Sequence, residues 1–314
     1  MNILVVINWA VLAVLVPLFA LEVGAALLYL LDYDTYKEKL ERHIALSWEI
    51  SGTFVVFFLV NFEATYPGLL VVLGTLYLAP ILLAGAVVII RDAYLAYSEY
   101  TKDVTAKKRD SKIYAVSTLV AAFLFVSILS SLISGIGVNV QSLSVDFVSL
   151  LFNAFNISVF LGVVALSFVA AFVTFQVKSL AAYALDSLAA MIAFVSAMFL
   201  YLPYLSQAVM SYYYINFVPA ALFVALTLLH LRRSRHAEIF VFLWLIASSM
   251  VFSAFVYPYL FGGTVNVNAA LPQASSAFYV LLISIFGAVF LAIAIGVLLY
   301  ARSRAGRGPP RGRH

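Results

Sequence analysis

All 18 lysines and arginines of this 314-residue chain fall in short stretches at 37–42, 91–112, 178, 232–235 and 302–313. Between these stretches run long segments that are apolar and almost free of charge. A chain threaded back and forth across a bilayer brings every basic cluster to one side. This is the bias that fixes the orientation of membrane proteins, whose inside loops hold the excess of Lys and Arg. The reading is a polytopic protein of the cell membrane, with the N-terminus outside and the C-terminus cytoplasmic.

Composition closes off the alternatives. Apolar residues make up 65% of the chain and charged residues only 10%, against roughly 25% charged in soluble domains. The net charge of +4 does not indicate nucleic acid, because the bases sit where they set topology and touch anionic lipid. With no cysteine, disulfides, thiolate metal sites and thiol chemistry are excluded. The first apolar stretch, 3–31, is about twice the length of a signal-peptide core and lacks a basic leader, so it is expected to stay as a helix.

A spanning helix needs about 20 apolar residues. Nine segments qualify: 4–31, 44–63, 68–97, 113–136, 147–176, 180–206, 211–231, 237–260 and 274–302. The expected fold is all-α and integral to the membrane, with about nine transmembrane helices as two four-helix bundles plus one extra helix. Residues 1–301 form one transmembrane domain and 302–314 a basic cytoplasmic tail. The outside connections, 63–67, 135–146, 206–211 and 261–273, are short, nearly uncharged and rich in turn formers. Neither a soluble domain nor a Gly-rich phosphate loop is expected.

Ionisable groups inside a membrane are costly and mark function by default. Glu22 lies about nine residues before the inside end of the first span, roughly 13 Å deep at 1.5 Å per residue. Glu49 is about one and a half turns into the second span, Asp186 similarly placed in the sixth, and Arg91 near the inside end of the third. Three acids and one guanidinium at similar depth can form a proton path, with Arg91 holding a carboxylate ionised. Snorkelling to the headgroups is the ordinary explanation for Arg91 and Asp186, whereas Glu22 is too deep for it. Glu63 and Asp146 read as solvated at the outer interface.

The four histidines, His43, His230, His236 and His314, lie at the inside surface or in the tail. A buried haem asks for His or Met projecting into a bundle core; Met191, Met198, Met210 and Met250 read as packing. No metal-ligand spacing appears. The chain is therefore expected to carry no redox centre of its own.

Several segments, in order, resemble subunit II of the cytochrome bd quinol oxidases. Leu21-Glu22-Val23-Gly24-Ala25-Ala26-Leu27 is similar to the family's aspartate-rich stretch in its first helix, with Glu22 at the second acid. Ser47-Trp48-Glu49-Ile50-Ser51-Gly52 resembles its HWDGNQ motif, with Glu49 at the acid. Ile90-Arg91-Asp92 with Tyr97, then Leu151-Phe152-Asn153-Ala154-Phe155, resemble its FRP…DYR helix end and its LLNPF helix start. Tyr257-Pro258-Tyr259-Leu260, Asn268-Ala269-Ala270-Leu271 and Ala274-Ser275-Ser276 resemble the signature before the last helix. The departures are Ser47 for histidine, Ile50-Ser51-Gly52 for the Gly-Asn-Gln, and Glu for Asp at both acids, the marks of a divergent member.

The resemblance implies a subunit without haem, packed beside a larger haem-binding subunit I that carries haems b and d, oxidises quinol and reduces dioxygen. It also leaves room for a small single-helix subunit and bound lipids. It implies that Glu49 relays cytoplasmic protons toward the oxygen-reduction site, with Glu22 and Arg91 nearby. Two alternatives stand beside it. A secondary transporter would show broken helices at matching places in two repeats, yet Pro17, Pro80, Pro203 and Pro219 are not so paired. A purely structural subunit would tolerate replacement of its acids one by one.

Overall fold

A computed structural model of the chain describes residues 2–101, 103–177, 179–201, 210–234 and 236–305. Within these, the side chains of 39, 42–50, 99, 198–201, 274–275, 291–292 and 294–305 lie outside the described residues. The backbone is almost entirely helical. In chain order the helices are α1 Ile3–Thr65, α2 Leu70–Tyr100, α3 Val104–Ser134, α4 Phe147–Leu151, α5 Ala154–Thr174, α6 Leu180–Tyr201, α7 Phe217–Leu231, α8 Ala237–Val256 and α9 Ala274–Ala305. Seven described helices are long and apolar enough to cross a membrane, and two shorter apolar helices, Ser51–Thr65 and Ser276–Phe290, lie within α1 and α9. Long apolar side chains such as Val71, Leu82, Ile89 and Phe286 are exposed. Helices can face lipid this way because they satisfy their backbone groups internally.

The expected spans need three corrections. First, the connection 32–43 is helical, not a loop. α1 breaks only at Asp32 (φ −152°, ψ 76°), whose carboxylate accepts from Thr35 N–H at 3.2 Å and so caps the helix that resumes. Second, the segment 147–176 is two helices. Phe152 leaves helical geometry, and the Asn153 side chain accepts from Asn156 N–H at 2.8 Å to start α5, as an N-cap should. Third, α3 begins nine residues earlier than hydropathy suggests, because Asp103 caps Thr105 and Ala106 and the basic turn that follows is a good helix former.

Two of the expected turns are small antiparallel ribbons. In one, β1 Val138–Asn139 pairs with β2 Ser144–Val145; in the other, β3 Tyr259–Leu260 pairs with β4 Val265–Asn266. Tyr257 Oη donates to Asn268 Oδ1 at 2.7 Å across the second. Both ribbons bear on the same apolar cluster, where Tyr77, Leu150, Phe255 and Phe261 are buried.

α1 is the centre of the packing, touching α3, α5, α8 and α9, while α2 lies along α3, α5 along α6 and α7 along α8. Its first limb reaches α5 through a small-residue face: Ala20 and Gly24 stand four apart, the spacing that lets two membrane helices approach closely. A β-carbon at Gly24 would run into the Ser167 carbonyl oxygen and stand 2.8 Å from Ala171 Cβ. Gly24→Ala is therefore expected to push α1 from α5 and destabilise the subunit by about 1–3 kcal/mol, the usual cost of overpacking. Thermal unfolding of the purified protein measures it; Gly52→Ala, where an added carbon meets nothing within 4 Å, is the control.

Candidate functional site

The site is built where three helical segments meet. Glu22 comes from the first limb of α1, Ser51 from its second limb and Arg91 from α2. The turn of phase at Asp32 sends the second limb back beside the first, so residues 29 apart in sequence become neighbours. Glu22 is 2% exposed and Arg91 8%. Arg91 Nη1 donates to Glu22 Oε2 at 2.9 Å, and Ser51 Oγ donates to Glu22 Oε1. Arg91 Nε donates in turn to Asp92 Oδ1 at 2.8 Å. Tyr114 of α3 is buried, with its ring edge-on to Tyr29 and the centroids 6.4 Å apart.

Burying either charge alone would be prohibitive; the pair survives because each member supplies what the other lost with water. The fork of Arg91 holds two carboxylates at once, which a lysine could not do with the same geometry. Glu22 has a donor on each oxygen, so both are fixed in direction. Ser51, Glu22, Arg91 and Asp92 thus form one continuous hydrogen-bonded chain running from the interior of the α1 limbs to a half-buried carboxylate on α2.

The residues singled out from sequence are placed as follows. Glu22 and Arg91 are brought into direct contact. Glu49 is on the helical backbone of α1, two residues before Ser51 and about 3 Å from it along the axis, but its side chain lies outside the described residues. Asp186 is half-buried on α6; no ion pair or hydrogen bond among the described residues joins it to the others. Sequence reasoning passed over Asp92 and Ser51 as partners and missed Asp110 and Tyr114, which are buried on α3. The signal available for those two was the polar stripe Asp110, Ser111, Tyr114, Ser117 and Thr118, spaced along one helical face.

Among the described residues no group of three or more His, Cys, Asp and Glu could hold a metal ion. The His230 ring stacks on Tyr183 with centroids 4.8 Å apart, and His236 is exposed at the start of α8. His43 and His314 lie outside the described residues.

The sequence profile of cytochrome bd terminal oxidase subunit II matches residues 1–302. The chain belongs to that family. The bd oxidase subunit II chain is therefore a multi-pass membrane protein of a respiratory terminal oxidase family, and its helical fold has a solved counterpart. A chain in the structure of the bd oxidase from Geobacillus thermodenitrificans superposes with a TM-score of 0.76 at 17% identity, covering 95% of this chain and 96% of that one. No curated protein matches significantly.

Proposed function

We propose that the chain is the subunit without haem of a bd-type quinol:dioxygen oxidoreductase, that it stabilises a larger haem-bearing subunit I, and that it relays cytoplasmic protons to the oxygen-reduction site. The observation that carries this reading is the buried Glu22–Arg91 pair with its Ser51 donor, within a chain of this family. Haems b and d, expected on the partner, supply the electron transfer and oxygen reduction when bound, with quinol as the donor.

In this chain, Glu49 is the first choice for the group that takes up and passes on a proton at its carboxylate. It lies two residues before Ser51 on the same helix, about 3 Å along the axis from this partner of Glu22. Glu22 is the second. Arg91 does not release a proton; its part is to keep a fixed positive charge that holds the neighbouring carboxylate ionised. With the basic loops cytoplasmic, protons consumed in forming water come from inside while quinol releases its own outside, and the difference conserves energy.

The second reading, a structural subunit, is favoured by one observation: both oxygens of Glu22 already have donors, as in a clamp. The transporter alternative has no footing once the family is known. The test of the proposal is a dithionite-reduced minus oxidised visible spectrum of the natively purified complex, with its chains identified. Haem bands together with a larger haem-binding chain are expected. A colourless protein that purifies alone and intact would overturn the reading.

A further inference from the structure

One face of α3 carries a groove of about 490 Å3 lined chiefly by Thr105, Lys108, Arg109, Lys112, Ile113 and Val116. These positions follow the i, i+3, i+4, i+7, i+8, i+11 spacing of a single helical stripe. The opposite face, with Asp110, Ser111, Tyr114, Ala115 and Thr118, is buried against the rest of the protein. The stripe has two halves. Its first two turns are cationic; its next turns are apolar, with Val116 and, one turn further, Val120 exposed.

The charges in the groove are only partly answered. Lys108 Nζ meets Asp34 at 2.6 Å. Arg109 uses Nε and Nη2 on Asp110 at 3.1 Å, yet its side chain remains 71% exposed, and a guanidinium has five donors. Lys112 has no ion-pair partner among the described residues. Lys107, beside the stripe, is occupied by Glu41 at 3.0 Å. Two cations therefore stand with spare donors at the mouth of an apolar strip. From Lys108 to Val120 is about 18 Å along the axis, enough for a phosphate head and the upper part of an acyl chain.

We infer that this groove binds one anionic phospholipid, its phosphate held by Arg109 and Lys112 and an acyl chain laid along Ile113, Val116 and Val120. The charge pattern selects this occupant. A free phosphate has no use for the apolar half. A partner helix would have to bring its own acids or bury Arg109 and Lys112 unpaired, which is costly. Basic pockets on the inner side of membrane helices bind acidic headgroups on the same grounds. The inference does not rest on the oxidase reading.

The test is native mass spectrometry of the intact complex in mild detergent, titrated with phosphatidylglycerol or phosphatidylcholine. The Arg109→Gln/Lys112→Gln variant is compared with Arg232→Gln/Arg233→Gln, which removes the same charge at another basic loop. Removing two charges near an anionic headgroup should weaken binding of the first phosphatidylglycerol by about 30-fold. The control variant and phosphatidylcholine should be unaffected. Unchanged phosphatidylglycerol binding in the first variant overturns the site, as does equal loss in both variants. Competition by millimolar inorganic phosphate would make it an anion site, not a lipid site. Loss of another subunit from the first variant's complex would make it a protein contact.

Discussion

Glu22→Gln is expected to destabilise the subunit by about 3–5 kcal/mol, because it strands the Arg91 guanidinium without its buried counter-charge. Glutamine keeps the volume of the side chain and can still meet Ser51, so the loss isolates the charge. Arg91→Gln should cost a similar amount by stranding Glu22, although Asp92, bonded to Arg91 at 2.8 Å, is freed at the same time and is half-buried, so water can still reach it. The Glu22→Gln/Arg91→Gln double variant should be markedly more stable than the sum of the two single losses, since neither amide is then a buried charge. Thermal unfolding of the detergent-solubilised complex, with the yield of assembled complex, gives the coupling directly. Additive losses would mean that the pair is not a coupled unit and would remove its place in the site.

That pair also shows how far a sequence reaches. The depth of Glu22 follows from counting residues, and so does that of Arg91. What counting cannot give is which face of each helix they occupy, and for Arg91 snorkelling was the ordinary explanation. The break of α1 at Asp32 returns the second limb alongside the first and brings Ser51 to Glu22, while Arg91 reaches Glu22 from α2. The long apolar helices were legible because the bilayer imposes a length on each. The helical stretch after Asp32 and the two ribbons were not, and the helix start near Asn153 was marked only by the resemblance to LLNPF. They depend on capping by single side chains such as Asp32 and Asn153 and on backbone pairing of two residues at a time, signals that hydropathy averages away. Asp186 is half-buried on α6, and no ion pair or hydrogen bond among the described residues joins it to the Glu22 chain. The buried Asp110 was hidden inside a run of lysines and arginines, where an acid reads as one more surface charge.

Replacing Glu49 by Gln is expected to slow quinol-dependent oxygen consumption by about 10²-fold, the lower end of what a positioned proton-transfer group contributes, while haem content and assembly stay at the wild-type level. Glutamine matches glutamate in shape but cannot take and release a proton near neutral pH, so a change in rate without a change in assembly isolates proton transfer from packing. Glu49→Asp should recover much of the rate, because it restores the carboxylate and only shortens its reach. The comparison with Glu22 is what gives the experiment its force. Glu22 is clamped by Ser51 and Arg91, so its loss should appear first as instability; a relay residue should show the reverse order, with rate falling and stability holding. Measured side by side as turnover per haem and as thermal midpoint, the two substitutions should separate along these axes. Equal turnover in wild type and Glu49→Gln would remove the relay role and leave the subunit a structural one, with the Glu22–Arg91 pair as its buried clasp.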